Sequence, residues 1–155
     1  MEAVLFLGIL LADQAAKAYI RAAFQPGESL PVIPHIFHIT YVLNPGAAFG
    51  IFSDQRVFFI LAGLLLFALA IYFFPRLRRE GRLLRCSAAA LLAGAAGNLI
   101  DRIATGLVVD FFDFRIWPVF NIADIAIVGG VIGMMLVILF PQRFAARAEG
   151  RRLHG

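Results

Sequence analysis

Apolar positions along the chain fall into four long blocks, at about residues 3–24, 57–74, 83–103 and 120–140, separated by segments where Pro, Gly and charged residues gather. A helix rising about 1.5 Å per residue needs about 20 such residues to cross a bilayer. The pattern predicts an all-α polytopic membrane protein with four transmembrane helices, forming one domain over residues 1–155. The first intervening segment, about 25–56, places Pro26, Gly27, Pro31 and Pro34 around a run, 36–42, rich in β-branched and aromatic residues. It reads as turns leading into a short strand or hairpin on the membrane surface. The segment at about 104–119 alternates acidic with aromatic residues, and its Trp117 suits an interfacial belt.

Polar residues inside the spans are confined in depth. Asp13, Gln14 and Lys17 follow ten apolar residues of the first span; Asn98, Asp101 and Arg102 come near the end of the third; Asn121 and Asp124 open the fourth. With alternating helix directions, all three groups reach one level, just below one membrane surface. Each group has i, i+3 or i, i+4 spacing, so it shares a helix face that should point into the bundle. Ala89, Ala93 and Gly97, and Gly129 with Gly133, form small-xxx-small stripes that predict close helix packing.

Composition agrees with lipid as the solvent: 61% hydrophobic residues and a mean hydropathy of +0.86 leave too few polar side chains to clothe a water-soluble fold. The net charge of +4 is segregated, with five Arg against one Glu over residues 75–85 and four Arg against one Glu over 141–155. By the positive-inside rule both clusters, and hence both termini, are expected on the cytoplasmic side, which gives a nucleic-acid role no support. The N-terminal run has no basic start and no cleavage site, so it reads as a retained helix. The single Cys86 cannot form an internal disulfide and reads as a packing residue.

Several chemistries lack their residues. Ser29, Ser53 and Ser87 have no glycine-elbow context, the three histidines form no H-E-x-x-H, and the glycines form no phosphate-binding loop. Carboxylate chemistry remains. Two neighbouring carboxyl groups resist joint ionisation, so one can activate water while the other, protonated, polarises a carbonyl. Asp110 and Asp124 have no adjacent cation in sequence, which favours them. Asp101, next to Arg102, is expected to be an ion-paired structural carboxylate; Asp13, one turn before Lys17, a buried structural pair; Asp113, a solvated or interfacial side chain. Asn44 reads either as part of an ordinary Asn-Pro-Gly turn or as the edge of an apolar groove. Spacing alone does not choose among the acids.

Taken together, Asp13-Gln14-Ala15-Ala16-Lys17, Asn44-Pro45-Gly46-Ala47-Ala48-Phe49, Gly97-Asn98-Leu99-Ile100-Asp101-Arg102, Val108-Val109-Asp110-Phe111 and Phe120-Asn121-Ile122-Ala123-Asp124 closely resemble, in order and spacing, the lipoprotein signal peptidases (signal peptidase II). The resemblance spans about residues 10–135 and implies a membrane aspartic endopeptidase with a small external β-cradle built from the first loop. It places the catalytic dyad on Asp110 and Asp124. It gives site-shaping or substrate-binding places to Asp13, Lys17, Asn44, Gly46, Asn98, Asp101, Arg102, Asn121 and Ala123. Pro45 departs from the Thr of many relatives and stiffens the turn. The implied reaction is removal of the signal peptide from diacylglyceryl prolipoproteins, just before the lipidated cysteine, with no metal or cofactor. The implied setting is a monomer in the bacterial cytoplasmic membrane, among its lipids, with the site at the outer face. The rival readings are a proton-coupled transporter, which would prefer acids at the midplane, and a non-catalytic scaffold, which leaves the clustered Asp and Asn unexplained.

Overall fold

A computed structural model describes residues 1–46 and 56–142. The Ala47-Ala48-Phe49 part of the turn motif and the basic tail from residue 143 lie outside the described residues. The order is α1 (Glu2–Ala23), β1 (Ser29–Ile33), β2 (Phe37–Asn44), α2 (Arg56–Leu77), α3 (Arg82–Ala104), β3 (Val108–Asp113) and α4 (Ile122–Leu139). All four helices are long and apolar enough to cross a membrane, and α2 buries no residue of its own against the protein. A helix apolar on all sides and only partly covered by protein has lipid along the rest of its surface.

Two helix bounds differ from those read in the sequence. The second helix continues beyond Phe74 through Pro75 to Leu77; proline's fixed φ is compatible with a helical turn even though its nitrogen cannot donate. The fourth starts at Ile122, because Asn121 is extended and caps it: its side chain accepts from the Asp124 N–H while the Asp124 carboxylate accepts from the Asn121 N–H. Phe120, just before, is drawn into a bridge with Phe112 of β3.

The bundle is centred on α3, which packs against α1, α2 and α4. Close approach to α4 depends on Gly94, where a Cβ would run into the Ala123 carbonyl, and on Gly130, where one would lie 2.6 Å from the Ser87 carbonyl oxygen. The predicted stripe is thus shifted by one residue. Gly133 meets Ser87, but its partner on the contact face is Gly130, and Gly129 faces open space.

The predicted hairpin is part of a three-stranded antiparallel sheet in the order β1-β2-β3, the third strand coming from the segment between α3 and α4. Gly27, at φ +85°, turns the chain from α1 into β1, and its N–H donates to the Tyr41 carbonyl. The register places Val42 opposite Asp110 and Asn44 opposite Val108, with a bulge between Ile39 and Val42. Ile20, Tyr41, Val109 and Phe111 form the hydrophobic core beneath the sheet. The sheet therefore rests on the end of α1 and the start of α4. At the opposite end, Arg85 pairs with Glu2 at 2.8 Å, which puts the chain start beside the Arg-rich α2–α3 loop.

Candidate active site at the sheet end of the bundle

Asp110 projects from β3 and is 2% exposed. Its Oδ2 accepts from Nδ2 of Asn44 at 2.8 Å, a diagonal contact across the β2–β3 pair, and its Oδ1 accepts from Nδ2 of Asn121 at 2.7 Å. Asp124 sits in the first turn of α4, where a carboxylate favours the helix N-terminus. Its Oδ2 accepts from the Asn121 N–H at 3.1 Å and its Oδ1 from Nδ2 of Asn98 at 2.8 Å. The fully buried Asn121 therefore bonds both acids, and its Nδ2 also reaches Oδ1 of Asn98 and the Val109 carbonyl.

Burial pushes the Asp110 carboxyl up to about 7, the nearby Asp124 charge adding to the rise while the amides of Asn44 and Asn121 and the charge of Lys17 oppose it. Removal from water disfavours the charged form more than these donors restore it.

Behind the acids lies a cluster of matched charges. Lys17 spends its ammonium on three oxygens: Oδ2 of Asp13 at 2.9 Å, Oδ2 of Asp101 at 3.1 Å and Oδ1 of Asn98 at 2.8 Å. Lys17 and Asp13 are both fully buried, as the i, i+4 spacing predicted. Arg21 adds a 2.6 Å contact to Oδ1 of Asp101, so two cations face two anions. Asp13 also accepts from the Ala123 N–H at 2.9 Å, satisfying a first-turn donor of α4 that has no helical partner. Asp101 does the same for Val109 at 3.3 Å. These two carboxylates lock α4 and β3, the elements carrying the candidate dyad, onto α1 and α3. Gly97 makes room, since a Cβ there would run into Asp13, and the fully buried Ala123 fits against Gly94.

Three expectations change in detail. Asp101 is ion-paired, but with Lys17 and Arg21 of α1 rather than the adjacent Arg102, because successive helical residues point about 100° apart. Arg102 instead lies over the Phe59 ring, 4.7 Å from its centroid. There it feels the charges of Asp124, Asp110 and Asp101, and its Nε is buried without a hydrogen-bond partner among the described residues. Asp113 is not a solvated side chain: it is 5% exposed, accepting from the Thr40 hydroxyl at 2.8 Å and from Arg115 at 2.9 Å. Burial pushes its carboxyl up, but the bonds from Thr40 and Arg115 outweigh that and hold it below the usual range.

Asn44 is part of a turn, as one of its two readings had it, while the Ala and Phe residues of the apolar-groove reading lie outside the described residues. While Nδ2 serves Asp110, its Oδ1 accepts from the Gly46 N–H at 2.9 Å, so the turn aims the amide. Gly46 is at φ +104°, and a Cβ there would run into the Phe59 ring, which excludes other residues on two grounds. Arg21 was not singled out in the sequence. Its signal is the i, i+4 step beyond Lys17, which puts Asp13, Lys17 and Arg21 on one face. Among the described residues, no three His, Cys, Asp or Glu side chains are grouped as metal ligands would be.

The chain and its fold have counterparts. Residues 5–140 match the family model described as Signal peptidase (SPase) II. A lipoprotein signal peptidase of Moorella thermoacetica is 50% identical over 138 residues, covering 89% of this chain and 92% of its own. The Desulfitobacterium hafniense protein of the same name is 46% identical over 145 residues, covering 92% and 96%. Two solved structures of a bacterial membrane enzyme superpose with TM-scores of 0.83 and 0.82 at 36% identity, each over 89% of this chain and over 87% and 92% of theirs. With its matched residues, its four apolar helices and its shared fold, the chain belongs to the signal peptidase II family of membrane proteases.

Proposed function

We propose that the protein is an aspartic endopeptidase that removes the signal peptide from diacylglyceryl-modified prolipoproteins, cutting just before the lipidated cysteine, with Asp110 and Asp124 as the catalytic pair. The observation that carries this reading is Asn121 bonded to both carboxyl groups at once, beside an Asp110 pushed up to about 7. Asp110 is then the acid of the pair, and Asp124, which accepts from Asn98 and the Asn121 N–H, is assigned the part of the base.

Asp124 takes a proton from water as the water oxygen attacks the scissile carbonyl carbon, and Asp110 hydrogen-bonds the carbonyl oxygen and then protonates it. In the resulting gem-diol, Asp110 takes a proton back from one hydroxyl as the carbonyl re-forms, and the proton on Asp124 passes to the departing nitrogen. The C–N bond breaks, releasing the signal peptide's new carboxyl end and the amine of the lipidated cysteine. Both carboxyl groups return to their resting states, and no covalent intermediate is needed.

The depth of the pair supports the substrate. Asp124 starts a membrane-length helix and Asp110 lies in the sheet capping it, the level where acyl chains meet headgroups. Segregated Arg residues support a cytoplasmic side at the other end, hence both termini inside and the pair at the outer face of the bacterial cytoplasmic membrane. The protein acts there as a monomer, without metal or cofactor. Asp13, Lys17, Asp101 and Ala123 fix the elements that bear the pair; Asn44, Gly46, Asn98, Arg102 and Asn121 shape its surroundings. The test is Asp110→Asn and Asp124→Asn. Each variant accumulates in the membrane with near-native thermal unfolding and loses cleavage of a diacylated prolipoprotein; near-normal cleavage by either one removes that residue from the dyad.

A further inference from the structure

At the end of the bundle opposite the acids, α1 and α2 flank α3 and leave a groove of about 800 Å³. Its walls are apolar, with Phe6 of α1, Phe67 and Phe74 of α2 and Leu92 of α3 among them. These residues belong to the membrane-length helices, so an apolar chain fills the groove and water does not.

The rim is positive. Arg78 and Arg85 stand at the mouth with Glu2. The Arg85 charge is matched by Glu2 at 2.8 Å, whereas Arg78 lies over the Phe74 ring, 5.5 Å from its centroid, and makes no ion pair among the described residues. Arg76 in the last turn of α2, Arg79 in the loop and Arg82 at the start of α3 raise the local positive potential. A groove that is apolar along its length and positive at its mouth fits an amphiphile with an acidic head, as basic pockets between transmembrane helices do. A signal peptide, the apolar part of the proposed substrate, is another candidate, but it starts with positive charge and would bring like charge to Arg78.

We propose that this groove is a binding site for an anionic phospholipid of the adjoining leaflet, with an acyl chain along Phe67 and Leu92 and the phosphate at Arg78. The acidic head offsets Arg78, the lining cation that has no ion pair among the described residues. The chain replaces lipid-exposed void between α1 and α2, and so clamps α2, which has no buried residue of its own, to the rest of the bundle.

The experiment is native mass spectrometry of the delipidated full-length protein titrated with phosphatidylglycerol or phosphatidylcholine of identical acyl chains. The native protein retains phosphatidylglycerol preferentially and unfolds at a higher temperature with it. Arg78→Gln weakens that retention about fivefold, the effect of about 1 kcal/mol per basic residue, and leaves phosphatidylcholine unaffected. Ala70→Phe, which fills the groove from α2, weakens retention of both lipids. Cleavage activity of both variants in detergent stays native, because the acids are at the other end. Equal retention of the two lipids by the native protein, or undiminished phosphatidylglycerol retention by Arg78→Gln, overturns the proposal. So does a basic signal peptide that displaces phosphatidylglycerol from the native protein and fails to bind Ala70→Phe, which would assign the groove to the peptide. Arg78 is exposed, so its variant folds and the test stands even if Ala70→Phe does not accumulate.

Discussion

Removing the Asn44 amide should change the pH dependence of cleavage in a definite direction. In the proposed cycle Asp110 must carry a proton, so activity falls as pH rises through its value of about 7. Asn44 donates to that carboxyl at 2.8 Å and thereby favours the ionised form. Asn44→Ala removes the donor, the proton is held more tightly, and the alkaline limb moves to higher pH. A hydrogen bond to a charged group contributes about 1.5–3 kcal/mol, and a pH unit corresponds to about 1.4 kcal/mol, so complete loss would move the limb by about one to two pH units. Asn44 is only half-buried and water takes over part of the bond, which leaves a shift of about one unit. Turnover at the optimum also falls, because the same side chain closes the turn onto Gly46. The assay is the rate of cleavage of a fluorescent diacylated peptide from pH 5 to 10 in detergent micelles stable over that range. A limb that moves toward acid, or one that stays in place while turnover drops, would refute the role given to Asn44.

The raised Asp110 also makes stability pH-dependent. A carboxyl that holds its proton to about 7 when folded, against 3.8 for an ordinary Asp, binds more protons in the folded state between those values, so stability falls as pH rises across that window; thermal unfolding should show this slope in the native protein and a shallower one in Asp110→Asn. Lys17→Met strands the Asp13 carboxylate and leaves Asp101 with Arg21 alone, and should cost about 3–5 kcal/mol, read as loss of membrane accumulation; a native level would contradict the buried cluster. Gly130→Ala forces α3 and α4 apart and should destabilise by about 1–3 kcal/mol, whereas Gly129→Ala, facing open space, should be neutral or gain up to about 1 kcal/mol of helix propensity. Melting temperatures of the two glycine variants in one detergent decide which glycine is at the contact.

Much of the fold was legible because lipid is an exacting solvent. Membrane-length apolar blocks have few structural solutions, and the four helices lie within a few residues of the blocks that announced them. Local pairs were equally clear: Asp13 and Lys17 meet because a helix turn brings i and i+4 together. Contacts made by tertiary geometry were not. Asn44 reaches Asp110 across 66 residues of sequence, through a register set by a bulge that no residue pattern announces. Asp101 draws its cations from α1, 80 and more residues away, while its neighbour Arg102 turns toward Phe59. Gly129 and Gly130 are adjacent, and only the packing angle of α4 on α3 selects between them. Asp113 looked like a surface acid because its partner Thr40 lies on a strand whose pairing was not readable. The choice of Asp110 and Asp124 over the other acids came from the family resemblance rather than from spacing.

The most direct test of the central claim is mass spectrometry of the products formed by the purified protein from a diacylglyceryl-modified prolipoprotein and from its unlipidated twin. The account predicts two products from the lipidated substrate, the signal peptide and a chain starting at the lipidated cysteine, with none from the twin and none when Asp124→Asn replaces the native protein. Equal cleavage of the twin, a cut at another bond, or products from Asp124→Asn would contradict it.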